Sequence, residues 1–279
     1  MKSVSRVFQC HKRALVLGEN TKIMGIVNVT PDSFSDGGQY VELNRILEHV
    51  EQLVQDGADI IDIGAESTRP GYEPVAKEIE WQRLEEPISA IRSHWPDVCL
   101  SVDTQKAWVA DRAVKAGVDI VNDIWGLAGD PDMAQVVSQH QAGLVMMFNR
   151  VSPWLPGTID IGAMVDFFRQ QLDFARHQGI AEDHILIDPG LGFGYGVDDN
   201  WIVLRHLEEF VGYGAGLLLG PSRKRFLGSV TDKPPRERDV ATAAVAALAV
   251  PYHVDVLRVH NVKTTRDALR VADKWYRDV

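Results

Sequence analysis

Cysteine is scarce: Cys10 and Cys99 are the only two in 279 residues. Two thiols build neither a disulfide framework nor a zinc-ligand spacing, so buried, reduced side chains are expected. Long apolar runs are missing as well. The longest, residues 241–250, falls well short of the roughly 20 residues that span a bilayer. The early positive charges are not followed by the continuous apolar stretch of a signal peptide, so a soluble, cytoplasmic protein without a membrane partner is expected. Positive charge is in deficit: 29 Lys and Arg face 39 Asp and Glu, a net charge of −10. Non-specific nucleic-acid binding needs a basic face, and that class is set aside. There is no P-loop, no His-Glu-x-x-His and no Gly-x-Ser-x-Gly, which removes the usual support for metal-centred hydrolysis and acyl transfer. The glycine-rich run at 190–196 does not have the dinucleotide-fingerprint spacing, and no first βα unit surrounds it. No Gly/Ser/Pro-rich linker divides residues 1–279, so a single domain is expected.

What is present is an alternation. Short runs rich in β-branched residues occur at 23–27, 60–63, 98–102, 118–121, 143–148, 184–187, 215–219 and 254–258. Runs of this length and type are expected of parallel strands buried on both faces. Between them lie segments with helical spacing, such as Leu43, Ile46, Leu47, Val50 and Val54, or Trp108, Val109, Ala113 and Val114, which predict amphipathic crossover helices. Eight strand–helix repeats in this length predict an α/β fold, a (β/α)8 TIM barrel. A doubly wound open sheet fits the same alternation, but it does not place a polar cluster after nearly every strand. Residues 1–21 precede the first barrel strand; Val7-Phe8 and Ala14-Leu15-Val16-Leu17 predict a short N-terminal hairpin extension under the barrel.

The polar clusters are Asn28, Glu66 to Arg69, Asp103, Asn122 with Asp123, Asp188, Ser222 to Lys224, and Arg258 with His260. Groups converging from the C-terminal ends of parallel strands describe an active-site rim. Ser222-Arg223-Lys224-Arg225 follows the seventh strand and is either an anion site of the kind late barrel loops supply or a solvated basic turn. Lys224 also admits a Schiff-base role if its flanking cations lower its pKa. Arg258 and His260 stand two apart on a strand and share a face, as an anion clamp or as caps of the next helix. Asp103 is either a ligand-facing carboxylate or the N-cap of the helix after it; Asp188-Pro189-Gly190 is either a site or a turn. Together, Asp103, Asp188, Asn122 and Asn28 suit a planar heterocycle with hydrogen-bond donors along one edge.

These blocks resemble the dihydropteroate synthase family. The resemblance is carried by Met24 through Gly38, Glu66-Ser67-Thr68-Arg69-Pro70-Gly71, Ser101-Val102-Asp103-Thr104, Val121-Asn122-Asp123-Ile124, Asp188-Pro189-Gly190, Ser222-Arg223-Lys224 and Arg258-Val259-His260, in the family's order. It implies condensation of p-aminobenzoate with the diphosphate ester of 6-hydroxymethyl-7,8-dihydropterin, by dissociative loss of diphosphate. Carried over by position, Asp103, Asn122, Asp188 and Lys224 hold the pterin. Asn28 helps hold Mg2+, the implied cofactor, against the diphosphate. Thr68, Arg69, Arg258 and His260 contact the diphosphate, and Phe34, Pro70 and Ser222 form the p-aminobenzoate pocket. Asp103, Lys224, Asp188, Arg258 and His260 are the implied catalytic set. The family's sulfonamide sensitivity and a homodimer through late barrel helices, with 241–250 as one candidate segment, are further expectations. Phe148, Ala65, Tyr195, Pro221 and Asn261 depart from the residues the family commonly carries. Three other readings share parts of the pattern: a pterin-binding methyltransferase domain, a Schiff-base aldolase barrel and a non-catalytic pterin-binding paralogue.

Overall fold

A computed structural model describes residues 5–29, 39–66, 75–149 and 157–277. The chain starts with strands β1 (Arg6–Cys10) and β2 (Arg13–Leu17), an antiparallel hairpin that pairs Arg6 with Leu17 and Cys10 with Arg13. Eight further strands then close a parallel barrel in chain order: β3 (Lys22–Asn28), β4 (Ile60–Gly64), β5 (Cys99–Asp103), β6 (Ile120–Asp123), β7 (Gly143–Met147), β8 (Ile185–Asp188), β9 (Gly216–Leu219) and β10 (Val254–Val259). The seam joins the last strand to the first, with Arg258 of β10 opposite Met24 of β3. The expected (β/α)8 barrel and N-terminal hairpin are both present, and each expected strand lies within a few residues of its observed bounds.

Helices α1 (Gln39–Gln55), α2 (Lys77–His94), α3 (Ala107–Lys115), α4 (Met133–His140), α5 (Ile161–His177), α6 (Val197–Arg205), α7 (Arg225–Thr231), α8 (Asp239–Ala249) and α9 (Val262–Tyr276) surround the sheet. Their apolar stripes meet the outer faces of the strands. In α1, Ile46, Val50 and Leu53 are buried at helical spacing, and in α3 Val109, Ala110, Ala113 and Val114 are. Asp160 caps α5 by accepting from the N–H of Ala163 at 3.1 Å, and Asn261 caps α9 by accepting from the N–H of Thr264 at 3.0 Å. Each cap satisfies a helix N-terminal donor that has no partner within the helix.

The barrel interior is layered. Its floor takes one apolar residue from every strand: Met24, Ile60, Cys99, Ile120, Val145, Leu186, Leu218 and Val256, packed on Phe8, Cys10 and Leu17 of the hairpin. The hairpin is also held by charge. Arg6 reaches buried Asp255 at 2.7 Å and Arg13 reaches buried Asp119 at 2.8 Å. Side chains two apart on a strand share a face, so the layer above the floor is set by the sequence. It contains Asp62, Ser101, Asn122, Asp188 and Arg258, each two residues beyond its floor residue. Another step along brings Asp103 from Ser101 and His260 from Arg258. An apolar plug under a charged upper layer leaves one end of the barrel for chemistry. Among the described residues, no helix is long and apolar enough to cross a membrane.

Candidate active site

Arg258 is the hub of the upper layer. Its Nε donates to Asp62 Oδ2 at 2.6 Å and its Nη2 donates to Asp103 Oδ2 at 2.6 Å, bridging β10 to β4 and β5. The same Asp62 oxygen accepts from Asn122 Nδ2 of β6 at 3.1 Å. Arg258, Asp103 and Asn122 are thus brought together through Asp62, a residue the sequence analysis had counted as part of an apolar strand. The signal was partial: a carboxylate inside Ile60-Ile61-Asp62-Ile63 needs a partner once buried, and its two-residue spacing from the floor residue Ile60 turns it to the barrel axis.

The ambiguity at Asp103 is resolved by geometry. Helix α3 starts at Ala107, and its N–H groups go elsewhere: Ala107 donates to Asp130 Oδ2 at 2.9 Å, and Lys106 to Thr104 Oγ1 at 3.2 Å. Asp103 is therefore free of capping and lies in the barrel mouth. Burial pushes its carboxyl up to about 7, against the pull of Arg258 and with the added repulsion of Asp62. Asp123 is the opposite case. It accepts from the N–H groups of Trp125 at 3.0 Å and Leu127 at 2.7 Å, so it closes a turn while its neighbour Asn122 faces inward.

Asp188 and Lys224 form a second group. Asp188 Oδ1 accepts from the N–H of Gly190 at 2.8 Å, so the turn and the site readings both hold. Burial raises its carboxyl, with Lys224 opposing. The Lys224 amine donates to the carbonyl of Leu191 and stands 4.7 Å from the Phe193 ring centre. Burial lowers it to about 8, with Asp188 opposing. Gly220 adjoins both groups: a Cβ there would lie 3.8 Å from Lys224 Nζ and 3.9 Å from Asp188 Oδ2, in ordinary contact with each. The other two cations of this loop are not in the site. Arg223 is paired in a fork with Asp239 at 2.6 and 2.9 Å, and Arg225 is exposed.

Ser222 and His260 form a third group: Ser222 Oγ is 2.8 Å from His260 Nδ1 and accepts from the His260 N–H at 3.1 Å. Arg258 and His260 share the inner face as their spacing predicts, but the Arg258 fork is committed to carboxylates, with Nη1 alone unbonded among the described residues. Asn28 stands exposed at the end of β3. Its single amide oxygen suits Mg2+, a hard cation that binds through one or two protein oxygens and otherwise keeps waters and phosphate oxygens. Among the described residues no group of three His, Cys, Asp or Glu side chains could hold a metal. Phe34, Thr68, Arg69 and Pro70 lie outside the described residues. Glu66, which leads into that segment, is held by Lys106, which also reaches buried Glu80 at 2.5 Å.

Three of the departures from the family pattern have structural roles. The Tyr195 hydroxyl donates to the Pro189 carbonyl at 2.5 Å and braces the Asp188 turn. Phe148 is buried and packs edge-on against Phe167 at 5.1 Å. Asn261 caps α9 and donates to Asp239 at 2.9 Å, extending the Arg223 pair.

Comparison with known proteins agrees with this architecture. The pterin binding enzyme family matches residues 24–260. The dihydropteroate synthase of Bacillus subtilis is 43% identical over 273 residues, covering 96% of this chain and 93% of its own. Among solved structures, a Clostridium difficile dihydropteroate synthase determined with pteroic acid superposes with a TM-score of 0.88 at 40% identity, covering 94% of this chain and 98% of that one. A Xanthomonas albilineans dihydropteroate synthase with 4-aminobenzoic acid gives a TM-score of 0.90 at 36% identity, covering 98% of both chains. A closed parallel barrel that superposes on solved dihydropteroate synthases and is matched along nearly its whole length belongs to the pterin binding enzyme family and, within it, to the dihydropteroate synthases.

Proposed function

We propose that the chain condenses p-aminobenzoate with (7,8-dihydropterin-6-yl)methyl diphosphate to give 7,8-dihydropteroate and diphosphate. The observation that carries this reading is the hydrogen-bonded Asp62, Asp103, Asn122 and Arg258 group beside Asp188 and Lys224, above a buried apolar floor. Asn122 and the carboxylates of Asp103 and Asp188 suit the donor-rich edge of a pterin, and the Lys224 amine supplies a donor to an acceptor of the same ring. The C–O bond to diphosphate breaks first, and positive charge spreads into the pterin ring. Asp103 and Asp188 stabilise it from fixed positions. The aromatic amine of p-aminobenzoate then forms the C–N bond and loses its proton; it is nucleophilic without a strong general base. His260 and the unbonded Nη1 of Arg258 face the leaving group, with Thr68 and Arg69 assigned there by resemblance. Asn28 would hold Mg2+, which when bound neutralises charge on the departing diphosphate. Ser222 Oγ lies 2.8 Å from His260 Nδ1 and orients that ring; its assignment to the p-aminobenzoate pocket, with Phe34 and Pro70, rests on the resemblance.

The test is pyrophosphate release from the dihydropterin diphosphate ester, with and without p-aminobenzoate and with Mg2+ or a chelator. Release that needs both p-aminobenzoate and Mg2+, with dihydropteroate as product, is expected. Release that ignores p-aminobenzoate would overturn the reading. Lys224→Ala is expected to weaken 6-hydroxymethylpterin binding by ~10-fold or more, as loss of a charge-assisted hydrogen bond implies. Calorimetric titration measures it, and unchanged affinity removes Lys224 from the pterin site. We also assign a homodimer to this chain. Val240 and Leu248 of α8 are 71% and 66% exposed, and Val271 and Trp275 of α9 are 72% and 79% exposed. Large apolar side chains concentrated on adjacent helices are a usual mark of an association surface. Sedimentation of wild type and Trp275→Glu tests it, with a shift to monomer expected in the variant.

A further inference from the structure

Three aspartates lie within apolar strand sequences, and they are not equivalent. Asp119 spends both oxygens, Oδ1 on Arg13 at 2.8 Å and Oδ2 on Arg92 at 2.8 Å and the N–H of Leu100 at 2.9 Å. Asp255 does the same, Oδ1 on Arg6 at 2.7 Å and Oδ2 on the N–H of Leu217 at 3.0 Å. These two are saturated fasteners at the base of the barrel. Asp62 lies two residues above the floor, is fully buried, and spends only Oδ2, on Arg258 Nε and Asn122 Nδ2. Its Oδ1 has no partner among the described residues, nor has Ser101 Oγ, whose residue is its direct register neighbour on β5. A buried carboxylate with an unspent oxygen is costly to fold around. A purely structural role would have been served more cheaply by the saturated arrangement seen twice at the other end.

We propose that Asp62 is a positioning residue for the pterin site, setting the orientation of Arg258 and the amide orientation of Asn122. This rests on the assignment of Asn122 and Asp103 to that site. With Nδ2 fixed on Asp62, Asn122 is left to present its Oδ1 to the mouth, an acceptor that selects a ligand N–H. With Nε fixed on Asp62, the guanidinium keeps its place when Asp103 turns from Arg258 to a ligand donor. Asp62 therefore acts on specificity through Arg258 and Asn122. It also bears on pH. Asp103 faces Arg258 from β10, Asp62 from β4, Asp123 from β6, Glu80 from α2 and Lys224 from the loop after β9. Removing the negative charge of Asp62 leaves Arg258 wholly to Asp103 and lowers the pH at which Asp103 ionises.

The experiment is calorimetric titration of 6-hydroxymethylpterin against pH for wild type, Asp62→Asn, Asn122→Ala and the double variant, with thermal unfolding alongside. Wild-type affinity is expected to rise with pH through about 7 as Asp103 ionises. In Asp62→Asn the affinity above that limb falls ~10 to 100-fold, the scale typical of residues that orient a contacting side chain, and the limb moves to lower pH. The two substitutions combine less than additively, because one acts through the other. Affinity within twofold of wild type with the limb in place, whatever the melting point, overturns the proposal, and so does strict additivity. No pterin binding by wild type at any pH would instead overturn the site assignment itself. If Asp62→Asn is not recovered folded, Arg258→Lys keeps the charge and removes the fork: a comparable loss of affinity supports the proposal, and an unchanged affinity overturns it.

Discussion

Arg258→Ala is expected to lose about 3–5 kcal/mol of unfolding free energy at pH 8, the cost of leaving a buried ion pair without its cation. The substitution strands two carboxylates, Asp62 and Asp103, that the guanidinium now holds at 2.6 Å each. The pH dependence identifies the cause. The Asp103 carboxyl already sits near 7, above its ordinary value of 3.8, because burial outweighs the Arg258 charge. A carboxyl raised in the folded state binds more protons folded than unfolded, so its contribution to stability falls as pH rises from about 4 through the folded value. Without Arg258 the carboxyl rises further and the slope steepens. The variant should therefore recover much of its deficit between pH 8 and pH 5, measured by urea unfolding. A deficit constant across that range would mean that the guanidinium is not the counter-ion of this pair. The same variant should bind inorganic pyrophosphate more weakly, and unchanged pyrophosphate affinity and turnover would remove Arg258 from the leaving-group site.

Gly190→Ala is the second large effect. Gly190 has φ +74°, and a Cβ there would stand 2.1 Å from the Phe148 carbonyl oxygen. The contacted atom is strand-end backbone, not the far end of a flexible side chain that could yield. Left-handed strain of 1–3 kcal/mol combines with that clash, so a loss of about 3 kcal/mol or more is expected. The functional loss should exceed what stability explains. The N–H of Gly190 holds Asp188 Oδ1 at 2.8 Å, and the Asp188 carbonyl accepts from the N–H of Phe148 at 2.8 Å. Moving the turn moves the carboxylate. Gly212→Ala is the control: φ is +92° but nothing lies within 4 Å of its Cβ, so only strain of about 1 kcal/mol is expected. Equal losses in the two variants would show that the Phe148 contact carries no weight.

The strand–helix alternation was legible because every barrel strand is buried on both faces and therefore apolar along its length. The hairpin was legible from two short apolar runs. Ends of strands announced Asn28, Asp103, Asn122, Asp188 and Arg258, since a polar residue after an apolar run needs a reason. Asp62 was missed because it stands in the middle of its run, where the interior layering and not the strand end decides its role. The basic loop stayed ambiguous in the sequence. Three adjacent cations look like one anion site, but Arg223 is claimed by Asp239, and only Lys224 turns inward. Asp103 and Asp123 looked alike in sequence. Their difference depends on where nearby N–H groups find partners: Asp130 serves Ala107, while Asp123 serves its own turn. Such accounting needs three-dimensional neighbours.

The hairpin at the base ties the opening residues of the chain to its closing strand, since Arg6 is paired with Asp255 of β10. A ribosome releases Asp255 long after Arg6, so the floor of the barrel is finished only when nearly all the chain has emerged. Contacts of such sequence separation form late and slow folding. Until then the underside of the growing sheet, with Met24, Ile60, Cys99 and Ile120 uncovered, is an adhesive surface for chaperones. A segment made early is in this sense secured late, and a chain truncated before β10 would hold its hairpin by Arg13–Asp119 alone among the two charge ties.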